Sequence, residues 1–299
     1  MMQERNIVTR VAETVRIPPE RLTAAPPFPD KLKIELTARC DLKCYFCSLT
    51  YKPRKRADMD ESLLFKIIRQ ARELQVKDLG LFWLGEPLLV EALPDYIARA
   101  KQIGIPYVFV TTNGRTAFPE KMQRLMTSGI DSIKFSLNAS TRERYKSVTG
   151  VDAFDQVLAN IRSTSRLRGG RSWPQLSVST AVAAGHEEEF NAVHALIGSA
   201  VDAHYPLRLY GAQEAEQSGT RTLESMLPCW SLFTEAHISY DGHLSACFCD
   251  HDPKFYMGDL KSLSLQEAWE SPTFVALRQK HLEKQVVGSP CAECIAYAH

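Results

Sequence analysis

No apolar run in these 299 residues approaches the roughly 20 that a membrane span needs. The opening MMQERNIVTR lacks the apolar stretch of a secretory signal. The sequence is therefore expected to be cytoplasmic, with no membrane partner. Neither sign of charge is in excess: 36 Lys and Arg stand against 35 Asp and Glu, a net charge of +1. No overall field draws nucleic acid. The short basic run KPRKR, 52–56, is expected to be a solvated loop. Solenoid-type repeats and low-complexity tracts are missing too. Cysteine is absent from 48 to 228, yet there are eight in all, three within 40–47 and five within 229–294. In a reducing compartment that clustering excludes a disulfide framework and leaves metal or redox chemistry.

What is present is ordinary globular material, 44% hydrophobic and 24% charged, enough for a large domain with a smaller one. Residues 1–30 are polar, turn Pro-rich at AAPPFPD, and read as a helical arm plus linker. Then β-rich runs follow: LKIELT (32–37), DLGLFWL (78–84), PYVFVTT (106–112), DSIKFSL (131–137), QLSVSTAV (175–182) and LRLYGA (207–212). Amphipathic stretches such as DESLLFKIIRQARELQ and AFDQVLANIRSTSRL separate them. Six β/α repeats predict an α/β fold with a parallel sheet. Right-handed crossovers curl it into a full or partial barrel, with chemistry at the C-terminal strand ends. Beyond about 213 the chain becomes loop-rich and cysteine-rich, with a hairpin at HISYDGHLSACFC around Asp-Gly. The expected division is 1–30, 31–213 and 214–299.

CDLKCYFC places Cys40, Cys44 and Cys47 at the end of the first strand, spaced C-x3-C-x2-C. Three thiolates hold three irons of a four-iron cluster and leave the fourth open. Structural zinc takes four ligands, and only three cysteines are near. This loop resembles the signature of the radical SAM superfamily, and the resemblance runs over nearly all of the chain from about 30 onward. It implies a partial (β/α)6 TIM-like barrel in which S-adenosylmethionine chelates the open iron and yields a 5′-deoxyadenosyl radical on reduction. LGEP, Leu84 to Pro87, looks like the family's GGEP element with Leu in place of its first Gly. The resemblance gives Glu86 to the methionine amino group and Phe46 to the adenine. It gives Ser136 and Asn138 of SLNAS to the ribose or the methionine carboxylate. Asn113 of TTNG joins them at the third strand end, although Asn-Gly is also a common turn.

The later cysteines are Cys229, Cys247, Cys249, Cys291 and Cys294. Their pattern, with DGHLSAC, MGDL, LQEAWES and CAEC between them, resembles a twitch, or truncated SPASM, domain. By that resemblance Cys229, Cys247, Cys291 and Cys294 bind an auxiliary cluster, for two [4Fe–4S] clusters in all; a four-cysteine zinc knuckle is the alternative. Side chains at i and i+2 of an extended chain share a face, so Cys247 and Cys249 are expected to lie together. Cys249 is then a surplus thiol. It is either a small buried residue, a substitute for Cys247 as ligand, or a hydrogen-atom donor. A donor thiol opposite the adenosyl group inverts a carbon, which describes an epimerase. A dehydrogenase needs the four ligands and no further thiol, and a ribosomal-peptide epimerase is a third possibility. The acidic stretches HEEEF (186–190) and CDHDP (249–253) offer sites for a polyamine-like substrate. Size and layout resemble the aminoglycoside-modifying members of the family. That implies an aminoglycoside substrate and a low-potential electron donor such as flavodoxin or ferredoxin.

Overall fold

In a computed structural model, residues 7–182, 187–208 and 226–294 are described. Parallel strands β1 (Lys31–Ile34), β2 (Asp78–Gly80), β3 (Tyr107–Thr112), β4 (Ser132–Ser136), β5 (Gln175–Val182) and β6 (Ala203–Arg208) pair in sequence order. Between them run α2 (Ser48–Tyr51), α3 (Glu61–Glu73), α4 (Leu93–Ile103), α5 (Pro119–Thr127), α6 (Arg142–Thr149), α7 (Phe154–Arg168) and α8 (Glu187–Ile197). This is the sheet of a partial (β/α) barrel, as expected. Its strand core is apolar toward the helices: Val108, Val110, Ile133, Phe135, Leu176 and Val178 are all fully buried, as a parallel sheet covered by helices requires. Two of these helices, α3 and α6, start from a side-chain cap. Asp60 accepts the Leu63 amide at 3.0 Å ahead of α3, for example.

Two features go beyond the sequence reading. The arm contains α1 (Ile7–Val15), and α1 closes the barrel at the N-terminal ends of its strands. Arg10 pairs with Asp78 at 3.2 Å and lays its guanidinium over Tyr107 and Phe109, at 3.7 and 4.4 Å from the ring centres. The second feature is continuity of the sheet. β7 (Ala236–Ile238) pairs in parallel with β1, and antiparallel β8 (His243–Ser245) and β9 (Tyr256–Asp259) extend that edge. The expected hairpin is β7–β8. The cysteine-rich module thus continues the barrel sheet, and the expected boundary at 213/214 lies outside the described residues. So do 209–212 of the predicted sixth strand, which starts earlier than expected at Ala203. Helices Leu265–Trp269 and Pro272–Leu282 cover the module. Arg278 is buried among them, stacked on Trp269 and Phe274 and donating to the carbonyls of Leu232 and Trp269 at 2.8 and 2.9 Å.

No helix among the described residues is long and apolar enough to cross a membrane.

Candidate active site and cysteine nests

The loop after β1 carries Cys40, Cys44 and Cys47, and each thiol lies within electrostatic reach of another of the three. Burial pushes Cys40 and Cys44 up to about 12 and raises Cys47 as well. Three thiols crowded and desolvated in this way are poor company for each other as thiolates. A cationic iron cluster at their centre reverses that balance, because metal binding deprotonates its thiol ligands. The donor set therefore fits the group.

Behind them Glu86 is buried and fully engaged by the chain itself. It accepts from the Thr112 hydroxyl at 2.7 Å, the Asn113 amide at 2.7 Å and the Leu88 amide at 3.0 Å. Burial outweighs those bonds and raises its pKa to about 7. Glu86 thereby fixes the β3 end, where Asn113 Nδ2 reaches Asp41 at 2.7 Å and lies 3.9 Å from Cys40 Sγ. Asn138 accepts the Ala181 amide at 2.8 Å and ties the ends of β4 and β5. Ser136 pairs in register with Ser179 at the same level. Phe46 stands edge-on to Tyr45 and lines the cavity described next.

That cavity holds about 420 Å³ and runs through the barrel, from α1 below to Phe46, Cys47, Ser48 and Leu84 above. Its polar wall is a chain of charges. Lys33 meets Glu235 at 2.7 Å, and His237 Nε2 meets the same carboxylate oxygen at 2.9 Å. Although burial works against ionising Glu235, the neighbouring Lys33 and His237 overcome it and lower its pKa to about 2. Lys134, on β4, also faces the cavity, 5.9 Å from both the Phe82 and Tyr205 ring centres. No carboxylate among the described residues is within ion-pair distance of its amine. Burial, then the charge of Lys33, lowers Lys134 to about 7.

A lysine so placed weakens the fold. The unfolded chain holds this proton up to the ordinary lysine range, whereas the folded chain releases it near neutrality. The penalty is absent above the ordinary lysine pKa, grows as pH falls and is complete below about 7. Lys134→Met is expected to raise the melting temperature, by about 2 kcal/mol of stability near pH 6 after allowance for cavity water, and by less than half of that near pH 9.5. Thermal unfolding at the two pH values checks it; an equal gain at both would show that packing alone is responsible.

The second nest is a small cavity of about 30 Å³ lined by all five later cysteines. Cys291 lies within electrostatic reach of Cys229, Cys247 and Cys294. Burial pushes Cys229 up to about 12 and raises Cys291 further. This set, too, fits a group that turns thiols into thiolates. No three such side chains among the described residues converge as on a single metal ion; a four-iron cluster takes its thiolates at separate corners. Cys247 and Cys249 share a face, with sulfurs 3.6 Å apart. That contact lowers Cys247 and, with burial, raises Cys249, and either sulfur can be the donor across it. Of the five cysteines, only Cys249 also lines the large cavity.

Two sequence expectations are corrected. KPRKR is not a solvated loop. Its backbone alternates, so Pro53, Lys55 and Arg56 face out while Lys52 and Arg54 turn in. Lys52 pairs with Asp250, and Arg54 with the buried Glu35. The acidic stretch at 249–253 is for the same reason not a free cation site. Asp250 belongs to Lys52, and Asp252, 3.7 Å from Lys52, accepts the Lys254 amide. In the other stretch His186 lies outside the described residues, and Glu187–Glu189 form the first turn of α8, where acidic side chains favour the helix dipole.

Residues 34–181 match the Radical SAM superfamily model, and 229–295 match SPASM, an iron–sulfur cluster-binding domain. The probable GTP 3′,8-cyclase of Saccharolobus solfataricus is 32% identical over 134 residues, 45% of this chain and 43% of that protein. The probable GTP 3′,8-cyclase of Metallosphaera sedula is 34% identical over 44% of this chain and 42% of its own length. The chain thus spans less than half the length of these relatives. Among solved structures, BtrN in complex with AdoMet and 2-DOIA shares the fold with TM-score 0.57 at 18% identity, over 86% of this chain and 88% of that one. Streptococcus suis SuiB bound to S-adenosylmethionine gives 0.69 at 15%, over 84% and 68%. SAM and two iron–sulfur clusters are the cofactors these domains imply. The first three cysteines fall in one matched domain and the last five in the other: the chain carries a Radical SAM domain followed by a SPASM-type iron–sulfur cluster-binding domain.

Proposed function

We propose that the enzyme is a redox-neutral radical epimerase that inverts one carbon of an amino sugar. The supporting observation is the position of Cys249, the one thiol shared by the walls of the large cavity and the second cysteine nest. When bound, SAM and the first cluster supply a 5′-deoxyadenosyl radical that takes a hydrogen atom from a substrate carbon, and the second cluster is an electron store beside Cys247. Cys249 then gives its hydrogen atom to the carbon from the opposite face. An S–H bond is weaker than most C–H bonds, so this transfer is downhill. The C–H bond forms, the S–H bond breaks, and the sulfur is left one electron and one proton short. Both are restored from outside, the electron from a low-potential donor of the flavodoxin or ferredoxin kind, and product and substrate share one oxidation state.

Within this reading, Cys40, Cys44 and Cys47 hold the first cluster and Cys229, Cys247, Cys291 and Cys294 the second. Phe46 shields the adenine from water. Ser136, Asn138 and Asn113 present polar groups at the strand ends, and Glu86 acts behind Asn113. Lys134 offers a nitrogen to the oxygens of a sugar. A volume of about 420 Å³, at the lower end of the usual range for ligand pockets, admits a terminal ring and leaves the rest of a larger substrate outside. The size, the short arm, the single auxiliary cluster and the CFCD element at 247–250 resemble neomycin C epimerase, and inversion at C-5‴ of neomycin C, giving neomycin B, is the specific form of the proposal. The fixed charges of the cavity do not themselves select a polyammonium substrate.

Turnover of neomycin C in D2O tests it. A solvent-exchanged thiol places one deuterium on the inverted carbon, and product mass rises by one. A product lighter by two hydrogens identifies a dehydrogenase instead and removes the epimerase reading. A bound precursor peptide, with aminoglycosides left untouched, shifts it to a peptide epimerase.

A further inference from the structure

Phe248, Cys249 and Asp250 are three consecutive residues, and each is gripped by a side chain of the barrel. Trp83 Nε1–H donates to the Phe248 carbonyl at 2.6 Å. The Ser48 hydroxyl donates to the Cys249 carbonyl at 3.1 Å. The Lys52 ammonium binds the Asp250 carboxylate, which is 2% exposed. From the far side the Trp230 ring packs on Phe248, with centres 4.8 Å apart. We propose that Trp83, Ser48 and Lys52 are positioning residues that hold the Cys249 thiol at the border of the reaction cavity, so that its hydrogen meets the substrate carbon. The inference rests on the hydrogen-donor reading of Cys249 and adds to it the groups that aim the donor.

The origin of the three side chains carries the argument. Ser48 directly follows Cys47, and Lys52 lies one turn further on, past α2. Trp83 directly precedes Leu84 of the LGEP element. The segments that place the first cluster therefore also grip the donor loop. One hydrogen bond and one peptide bond separate the Cys249 backbone from Cys47, where a path through the sheet would pass through β1, β7 and β8. Hydrogen-atom transfer needs near-contact, and a misplacement of about 1 Å costs on the order of 100-fold in such steps. The Lys52–Asp250 pair is a weak candidate for stability alone, since desolvation offsets most of the attraction in a buried pair. Fixing a register is the better-attested use of such pairs.

The test uses the reconstituted holoenzyme with neomycin C and the variants Ser48→Ala, Trp83→Phe and Lys52→Met, with Lys52→Arg as the charge-keeping rescue. Ser48→Ala deletes one hydroxyl and Trp83→Phe keeps an aromatic ring, so both leave the packing nearly whole. Two quantities are read: inverted product per 5′-deoxyadenosine, and the rate at which iodoacetamide alkylates Cys249, followed by mass spectrometry. Release of the loop is expected to lower product per 5′-deoxyadenosine 10- to 100-fold in Lys52→Met, and less in each milder variant. Alkylation should speed up several-fold, and Lys52→Arg should recover both. The proposal is overturned if alkylation is unchanged in all three variants, or if it quickens while product per 5′-deoxyadenosine stays within twofold of the parent. Failure of the epimerase reading shows separately, as a parent enzyme that makes no inverted sugar.

Discussion

Cys249→Ala is expected to cleave SAM and deliver no inverted product. The variant removes one sulfur from a wall shared by two cavities, and no other cysteine of the second nest borders the large one. Phe248 and Trp230 beside it carry strong C–H and N–H bonds, and Lys33, Glu235 and His237 are acid–base groups rather than hydrogen-atom donors; a second weak bond to hydrogen on the cavity wall is the Tyr205 phenol, on β6. Inversion should fall at least about 1,000-fold, which corresponds to about 4 kcal/mol of lost transition-state stabilisation. Iron content should match the parent. Cys247→Ala supplies the opposite pattern: with Cys247 as ligand and Cys249 as donor, the second cluster is lost and iron is reduced by about half. Iron analysis, 5′-deoxyadenosine assay and product stereochemistry separate the cases. Loss of iron from Cys249→Ala would make Cys249 a ligand, and normal turnover would reduce it to packing.

The difference between those two cysteines was only half legible in the sequence. Spacing at i and i+2 places both on one face, and the 3.6 Å between their sulfurs agrees. Spacing says nothing of which sulfur also meets the barrel interior, because that depends on a loop held by Ser48 and Trp83 from more than 160 residues away. The first cluster was legible for the converse reason: three ligands within eight residues are a local pattern. Strands were legible where burial on both sides leaves an apolar run, as in Tyr107–Thr112. Lys134 was not, since a lysine in an alternating strand looks solvent-facing, and here the other face of the strand is the barrel cavity. The arm read as polar because Arg10 is polar, yet Asp78, Tyr107 and Phe109 bury it. The pairing of β7 with β1 joins residues about 200 apart, beyond the reach of any periodicity.

Gly85→Ala is expected to abolish the first cluster while sparing the second. Gly85 stands in the LGEP element, and its backbone lies against the residues that lead into Cys40. A Cβ there would come within 1.9 Å of the Thr37 carbonyl oxygen, 2.8 Å of its carbon and 3.0 Å of the Arg39 carbonyl oxygen. These are backbone atoms, so no rotamer change relieves the clash. The same contact zone carries the bond from the Glu86 amide to the Arg39 carbonyl, 2.8 Å, and from the Gly85 amide to Glu35, 3.2 Å. Pushing the two segments apart breaks both, moves Cys40, and removes Glu86 from the Thr112 and Asn113 groups it holds. Buried donors left without partners cost about 1–3 kcal/mol each, and overpacking adds about as much again. Iron per chain should drop by about half after reconstitution, and 5′-deoxyadenosine formation should fall below about 1% of the parent, given the steep cost of misplaced reacting groups. Gly80→Ala is the control. Its Cβ meets side-chain atoms of Phe82, Phe109 and Lys33 at 2.9 to 3.1 Å, so it is expected to lose less activity and to keep its iron. A Gly85→Ala enzyme with full iron and parental SAM cleavage would show that the close approach at Thr37 does not govern the seating of the cluster loop.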